Sequence, residues 1–191
     1  MKRVGVLALQ GAFAEHIDVL TGLGVEAAPV RLPADLEAVS ALVIPGGEST
    51  TISKLMKEYG LHEHVGEMIE EGLPVFGTCA GLVLLAKRAS ELDDGPLGAM
   101  NIEVKRNAFG RQVDSFEVEL DVPVLGSKPF RSVFIRAPKI EKAGNGVEVL
   151  ARLEDGTMVA ARERNLLATA FHPELAGDTR LHEYFLTLVN G

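Results

Sequence analysis

Val75-Phe76-Gly77-Thr78-Cys79-Ala80-Gly81 runs a short apolar stretch directly into a cluster of small residues. Val75–Gly77 reads as a strand buried on both faces, and a helix begins near Ala80. So tight a turn from strand to helix has room only for small side chains around its central residue, and Gly77, Ala80 and Gly81 supply them. The form is that of a nucleophile elbow with cysteine in place of serine. It would set the Cys79 sulfur at a helix N-terminus, where unpaired N–H groups favour a developing anion. A cysteine beside Val75 and Phe76 is otherwise more often an inert core residue, and the glycines count against that.

Outward from this turn, apolar runs alternate with helical patterns. Val4–Leu9 is continuously apolar and ends in a turn at Gly11. Ala12–Leu23 has Phe13, Ile17, Leu20 and Leu23 at helical spacing. Glu26–Val30 and Ala41–Ile44 read as strands, the latter closed by Pro45-Gly46-Gly47. Ser49 or Thr50 caps a helix to about Tyr59, and Leu61–Glu71 forms another. Buried strands separated by helices imply crossovers and a parallel sheet. Downstream, Ile102–Lys105, Ser115–Val118, Ser132–Ile135, Val147–Leu153, Thr157–Glu163 and Leu166–Ala170 follow closely, with a hairpin turn at Glu154-Asp155-Gly156 and a final helix over Thr179–Val189. The expected fold is α/β: a flavodoxin-like, three-layer, mostly parallel sheet flanked by helices, with an antiparallel extension in the second half. Without repeats or a linker, residues 1–191 read as a single domain.

A net charge of −8 without any Lys/Arg-rich run argues against nucleic acid. No stretch approaches the length of a membrane span, and the apolar start of the chain is too short for a signal peptide. A single cysteine leaves no disulfide framework, so the expected setting is a reducing, cytoplasmic one.

Parallel sheets bind ligands beyond the carboxyl ends of their strands. Gln10, Gly46–Ser49 and Cys79 all fall at such ends, so residues distant in sequence converge on one edge. His172-Pro173-Glu174 supplies a base and its orienter. In an extended segment residues i and i+2 share a face, and Pro173 biases His172 toward that conformation. Glu174 can then hold the imidazole in the tautomer that takes a proton from Cys79. The alternative is a surface loop with an incidental His-Glu pair. Pro45-Gly46-Gly47-Glu48-Ser49 lets backbone N–H groups approach a bound oxygen. With the Ala80 N–H it would form an oxyanion hole, Gly47 giving the second donor. A phosphate cradle is the other reading, but the Gly-Lys-Ser/Thr form is missing. The remaining histidines, His16, His62, His64 and His182, lie on charged helices and read as solvated surface.

Gly46-Gly47-Glu48-Ser49, Gly77-Thr78-Cys79-Ala80-Gly81 and His172-Pro173-Glu174 together resemble the triad (class I) glutamine amidotransferases. Within them, Leu7-Ala8-Leu9-Gln10-Gly11, Glu15-His16, the stretch from Arg106-Asn107-Ala108-Phe109 to Val113-Asp114-Ser115-Phe116, and Phe134-Ile135-Arg136-Ala137-Pro138 look like the glutaminase subunits of pyridoxal 5′-phosphate synthases. The resemblance runs from about residue 4 to residue 189. It implies a Cys79-His172-Glu174 triad that hydrolyses L-glutamine to glutamate and ammonia through a γ-glutamyl thioester, with no metal or organic cofactor. It also implies contacts to glutamine from Gly47, Glu48, Ser49, Arg106, Ile135 and Arg136; Gln10 and Gly46, at the ends of their strands, are read as supporting positions. The implied partner is a (β/α)8-barrel synthase subunit that receives the ammonia and builds the vitamin B6 cofactor. The Gly46–Gly47 peptide is expected to reverse cheaply, turning a carbonyl to the oxyanion site in the free chain and an N–H in the complex. Two rival readings remain: another cysteine hydrolase, such as a peptidase or γ-glutamyl hydrolase, and a non-catalytic regulatory subunit.

Overall fold

The computed structural model describes residues 3–92, 95–109 and 115–190. Gly110, Arg111, Gln112, Val113 and Asp114 of the stretch that carries the finer resemblance lie outside them. Strand β1 (Arg3–Leu7) leads into helix α1 (Phe13–Gly22) and β2 (Glu26–Val30), and a single helical turn, α2 (Pro33–Leu36), precedes β3 (Ala41–Ile44). Helices α3 (Ser49–Glu58) and α4 (Leu61–Glu70) then return the chain to β4 (Val75–Thr78). Helix α5 (Ala80–Leu85) starts one residue after that strand ends and is wholly buried, as its sequence Ala-Gly-Leu-Val-Leu-Leu requires.

The second half is mostly strand: β5 (Ala86–Ala89), β6 (Met100–Lys105), β7 (Ser115–Leu120), β8 (Phe130–Ile135), β9 (Lys139–Ala143), β10 (Glu148–Arg152), β11 (Met158–Glu163) and β12 (Leu166–Thr169), closed by α6 (Arg180–Asn190). The main sheet has the order β2-β1-β3-β4-β12-β11-β9-β6-β5, with β10 paired to β11. The first five strands are parallel, which is the flavodoxin-like order, and pairing is antiparallel from β12 through β11 and β9 to β6. The expected parallel core with an antiparallel extension is therefore what the chain forms.

Three details differ from the sequence reading. β5 and β9 went unread, because Ala-Lys-Arg-Ala and Lys-Ile-Glu-Lys-Ala lack the apolar alternation that marks a strand. Their backbones are recruited by neighbours: β5 by β6, and β9 by β6 and β11. β7 and β8 do not extend the main sheet but form a two-stranded ladder of their own. Aromatic packing holds that ladder down, with Phe116 stacked on Phe134 at 4.5 Å between ring centroids and Phe134 against Phe171 at 5.4 Å. Helix α3 is capped by Glu48 rather than by Ser49 or Thr50, its carboxylate accepting from the Thr50 and Thr51 N–H groups.

Alternation along β4 divides the layers. Phe76 and Thr78 point to the face covered by α1 and α6, where Phe76 meets His182 and Phe185 edge-on or tilted at 5.7 and 5.5 Å. Gly77 faces α5, and any side chain there would strike Gly81 and Leu85. No helix among the described residues is long and apolar enough to cross a membrane.

Candidate active site

β4 and β12 are neighbours in parallel register, Thr78 opposite Thr169, so the chain leaves both at the same edge. Cys79 follows the first strand and His172 stands three residues beyond the second. The Cys79 N–H is tied to the Thr169 carbonyl at 2.8 Å, and its backbone is left-handed, with φ 49°. A non-glycine residue there is strained, and the tight packing around the elbow keeps it so. Gly81 meets the turn from the other side, since a Cβ on it would run into the Ile44 carbonyl of β3. Ala80 is the first residue of α5, so its N–H has no carbonyl to bond within the helix.

His172 is pinned through its own N–H to the Val133 carbonyl of β8 at 2.8 Å. Its Nδ1 lies 2.7 Å from Glu174 Oε1, which leaves Nε2 as the nitrogen free to face Cys79. Burial pulls the His172 pKa down. The hydrogen bonds and Coulombic attraction of Cys79 and Glu174 more than reverse this, raising it to about 10. The Cys79 thiol also lies 3.8 Å from the Ile135 carbonyl at the end of β8. The two-stranded ladder thus braces both His172 and Cys79.

The His172–Glu174 contact arises differently from the sequence expectation. Pro173–Leu175 is a 3-10 turn, not an extended segment, with Leu175 N–H bonded to the His172 carbonyl. Proline at the first position of a turn fixes φ where a turn needs it, and that preference prevails over the extended one.

The glycine loop after β3 lies over this pair. A Cβ on Gly46 would collide with the His172 ring and sit 3.3 Å from the Cys79 Cβ. The Gly46 carbonyl accepts from the Ala12 N–H at 2.9 Å. In a trans peptide this sends the Gly47 N–H to the opposite side, away from Ala12. Gln10 Oε1 accepts from the Glu48 N–H at 2.8 Å, so the loops after β1 and β3 are joined twice.

Of the residues expected at glutamine, Ser49 is buried at the start of α3 and Ile135 is exposed at the rim. Glu48 and Arg106 are bonded to each other at 3.0 Å, and Arg106 also donates to the Glu91 carbonyl. Burial raises the Glu48 pKa, but hydrogen bonds from Thr51 and Thr50 outweigh it and the net shift is downward. Arg136 sits on a left-handed residue with φ 43°, as does Asn107 beside Arg106 with φ 47°. The Ala108 N–H bonds the Ala137 carbonyl at 3.0 Å, joining the two arginine-bearing loops.

Two histidines depart from the surface expectation. His16 and His182 are fully buried rather than solvated, while His62 and His64 are half-buried. His16 Nε2 lies 3.1 Å from Thr78 Oγ1 and 3.3 Å from Glu174 Oε2, and its Nδ1 lies 2.9 Å from His182 Nε2. The signal was available in the spacing. His16 falls between Phe13 and Leu20 on the inward face of α1, and His182 lies one turn before Phe185 in α6. Open clefts elsewhere, about 220 Å³ beside Lys87, Asn101 and Lys142 and about 460 Å³ beside Ser40, Pro74 and Arg164, are lined by neither a cysteine nor a histidine.

The SNO glutamine amidotransferase family model matches residues 6–190. The chain is 60% identical over 188 residues to pyridoxal 5′-phosphate synthase subunit PdxT of Herpetosiphon aurantiacus, covering 97% of this chain and 99% of that one. It is equally 60% identical over 184 residues to the PdxT subunit of Pelotomaculum thermopropionicum, covering 96% and 93%. A solved structure described as a glutamine amidotransferase superposes with a TM-score of 0.92 at 52% identity, over 98% of this chain and 99% of that one. With a family match along nearly its whole length and relatives this similar, the chain belongs to the SNO glutamine amidotransferase family.

Proposed function

We propose that this chain is the glutaminase subunit of a pyridoxal 5′-phosphate synthase. It acts over residues 1–191 as one cytoplasmic unit and passes ammonia to a (β/α)8-barrel synthase subunit. The observation that carries the chemistry is the grouping of Cys79, His172 and Glu174, with Gly46 so close that a side chain on it would strike His172. The named relatives support the synthase assignment. The single cysteine, needed as a free thiol, supports a reducing compartment.

In the first half-reaction the Cys79 sulfur attacks the side-chain carbonyl carbon of glutamine, and the N–H groups of Gly47 and Ala80 receive the oxyanion. Collapse of the tetrahedral intermediate breaks the C–N bond. His172 gives its proton to the departing nitrogen, and ammonia leaves a γ-glutamyl thioester. In the second half, neutral His172 takes a proton from water, hydroxide adds to the thioester carbonyl, and glutamate departs as the sulfur is regenerated. Glu174 keeps the Nδ1 proton in place throughout. Arg106 and Arg136 are assigned to the substrate carboxylate, which suits the forked guanidinium. The loop from Gly46 to Ser49 and the Ile135 backbone line the remainder.

The test is ammonia release from glutamine by the chain with its synthase partner. Cys79→Ala is expected to abolish it while the thermal melt is preserved, because the thiol supplies chemistry and little packing. Appreciable ammonia release by that variant overturns the nucleophile assignment. A peptidase reading is disfavoured by the enclosed setting of the cysteine, which is 7% exposed beneath Gly46.

A further inference from the structure

The Glu174 carboxylate has two oxygens, and His172 uses one. The second, Oε2, is fully buried, and among the described residues no well-aligned hydrogen bond reaches it. A buried carboxylate oxygen needs a donor. The ring nitrogen facing it is His16 Nε2 at 3.3 Å, which also lies 3.1 Å from Thr78 Oγ1.

His16 is neutral, since burial and then the charges of His182 and His172 hold its pKa well below the ordinary value. A neutral imidazole has one N–H, so its tautomer decides what Glu174 meets. Placed on Nδ1, the proton would point at His182 Nε2. The Nε2 lone pair would then face the carboxylate, and the remaining N–H of His182, on Nδ1, would be buried with no acceptor. Placed on Nε2, the proton lies between Thr78 Oγ1 and Glu174 Oε2, and His16 Nδ1 accepts from His182 Nε2–H. Only a lone pair on His182 Nδ1 is then left unpaired, and a buried lone pair is tolerated more easily than a buried N–H.

We propose that His16 is a positioning residue of the triad, its Nε2–H holding the second oxygen of Glu174 while His182 fixes the His16 tautomer from behind. This rests on the reading of Cys79, His172 and Glu174 as the catalytic set. The relay runs from α6 through α1 to the turn after β12, across the face of β4 that carries Thr78. The base is thereby oriented by the layered core and not by its own turn alone.

Two measurements test it. In the unsubstituted chain labelled with ¹⁵N-histidine, the ring nitrogen shifts should identify His16 as the Nε2–H tautomer at pH 7. Finding Nδ1–H overturns the proposal without any variant having to fold. The second compares His16→Gln, whose amide N–H can stand where Nε2–H was, with His16→Leu, which fills space without donating. His16→Leu should lower kcat about 10- to 100-fold, by analogy with the cost of losing the partner that orients a metal-bound histidine. KM for glutamine should stay within about twofold, because His16 touches no substrate. His16→Gln should recover most of the rate. The pH profile of Cys79 alkylation should shift in His16→Leu and return in His16→Gln. Equal losses in both variants, a loss confined to KM, or an unmoved alkylation profile sinks the role. Cys79→Ala separates the layers: if it still releases ammonia the triad reading fails, whereas an inactive Cys79→Ala beside a fully active His16→Leu refutes only the positioning role.

Discussion

A side chain at Gly46 would need the space that the His172 ring fills, so only glycine fits against the imidazole there. Gly46→Ala would push a methyl group into the imidazole. Displacing a base by about 1 Å costs roughly 10²-fold in rate, so kcat should fall by about that factor while the melting temperature moves little. An alanine variant with normal turnover would show that the ring can retreat without losing Cys79. The buried pair behind the triad predicts an acid sensitivity. His182 is held neutral by burial, with its pKa lowered to about 4 from 6.5. Below 6.5 the unfolded chain binds the proton first, so the contribution of this residue is complete at neutral pH and falls as pH drops, levelling off below the folded value. That loss is about 3 kcal/mol, and His16 adds to it in the same direction. Denaturant unfolding at pH 7 and 4.5 should show the loss reduced in His182→Gln, and an unchanged acid arm would place the titration elsewhere. Cys79 and His172 were legible because glycines and a proline flank them with steric meaning. His16 and His182 were not, because charged neighbours such as Glu15 and Glu183 mask an inward position that only helical phase reveals.

Helix α3 begins where the glycine loop ends, and Glu48 serves both. Its carboxylate caps the helix through Thr50 and Thr51 and anchors Arg106. Glu48→Ala should lose about 1 kcal/mol of stability from the cap and also release Arg106. A raised KM for glutamine with little change in kcat is the expected kinetic counterpart. If Arg106 holds the substrate carboxylate, Arg106→Ala should raise KM by more than Glu48→Ala does, by up to about 2 kcal/mol in binding. Unchanged KM in both variants would remove this pair from the substrate site. At this scale the parallel half was readable, because strands buried on both faces are uninterrupted apolar runs. β5 and β9 were not, since partly exposed strands rich in Lys, Arg and Glu carry no such pattern. Glu48 was missed as a cap because Ser49 and Thr50, the stronger cap formers, stand next to it.

Across the whole molecule, β4, β12 and β8 bring together Cys79, His172 and Glu174, the residues to which the chemistry is assigned above. Apolar side chains are left open beside them, Ile135 38% and Leu175 41% exposed. The Gly46 carbonyl is already bonded to Ala12, so any reversal of that peptide must first break this bond. The proposed function therefore predicts that the synthase subunit raises kcat for ammonia release by covering the rim, while Cys79 alkylation changes little across the same titration. Ammonia release independent of the partner would end the coupling idea and leave the triad reading intact. The overall fold was legible from the alternation of runs. The placement of β7 and β8 over the site was not, because it depends on Phe116, Phe134 and Phe171 meeting across distant parts of the chain. Cys79 is the only thiol in the chain, so a nucleophile oxidised to sulfenic acid has no internal sulfur with which to form a protective disulfide. Reduction through a mixed disulfide then needs a thiol from another molecule, and it must come before further oxidation to the sulfinic acid.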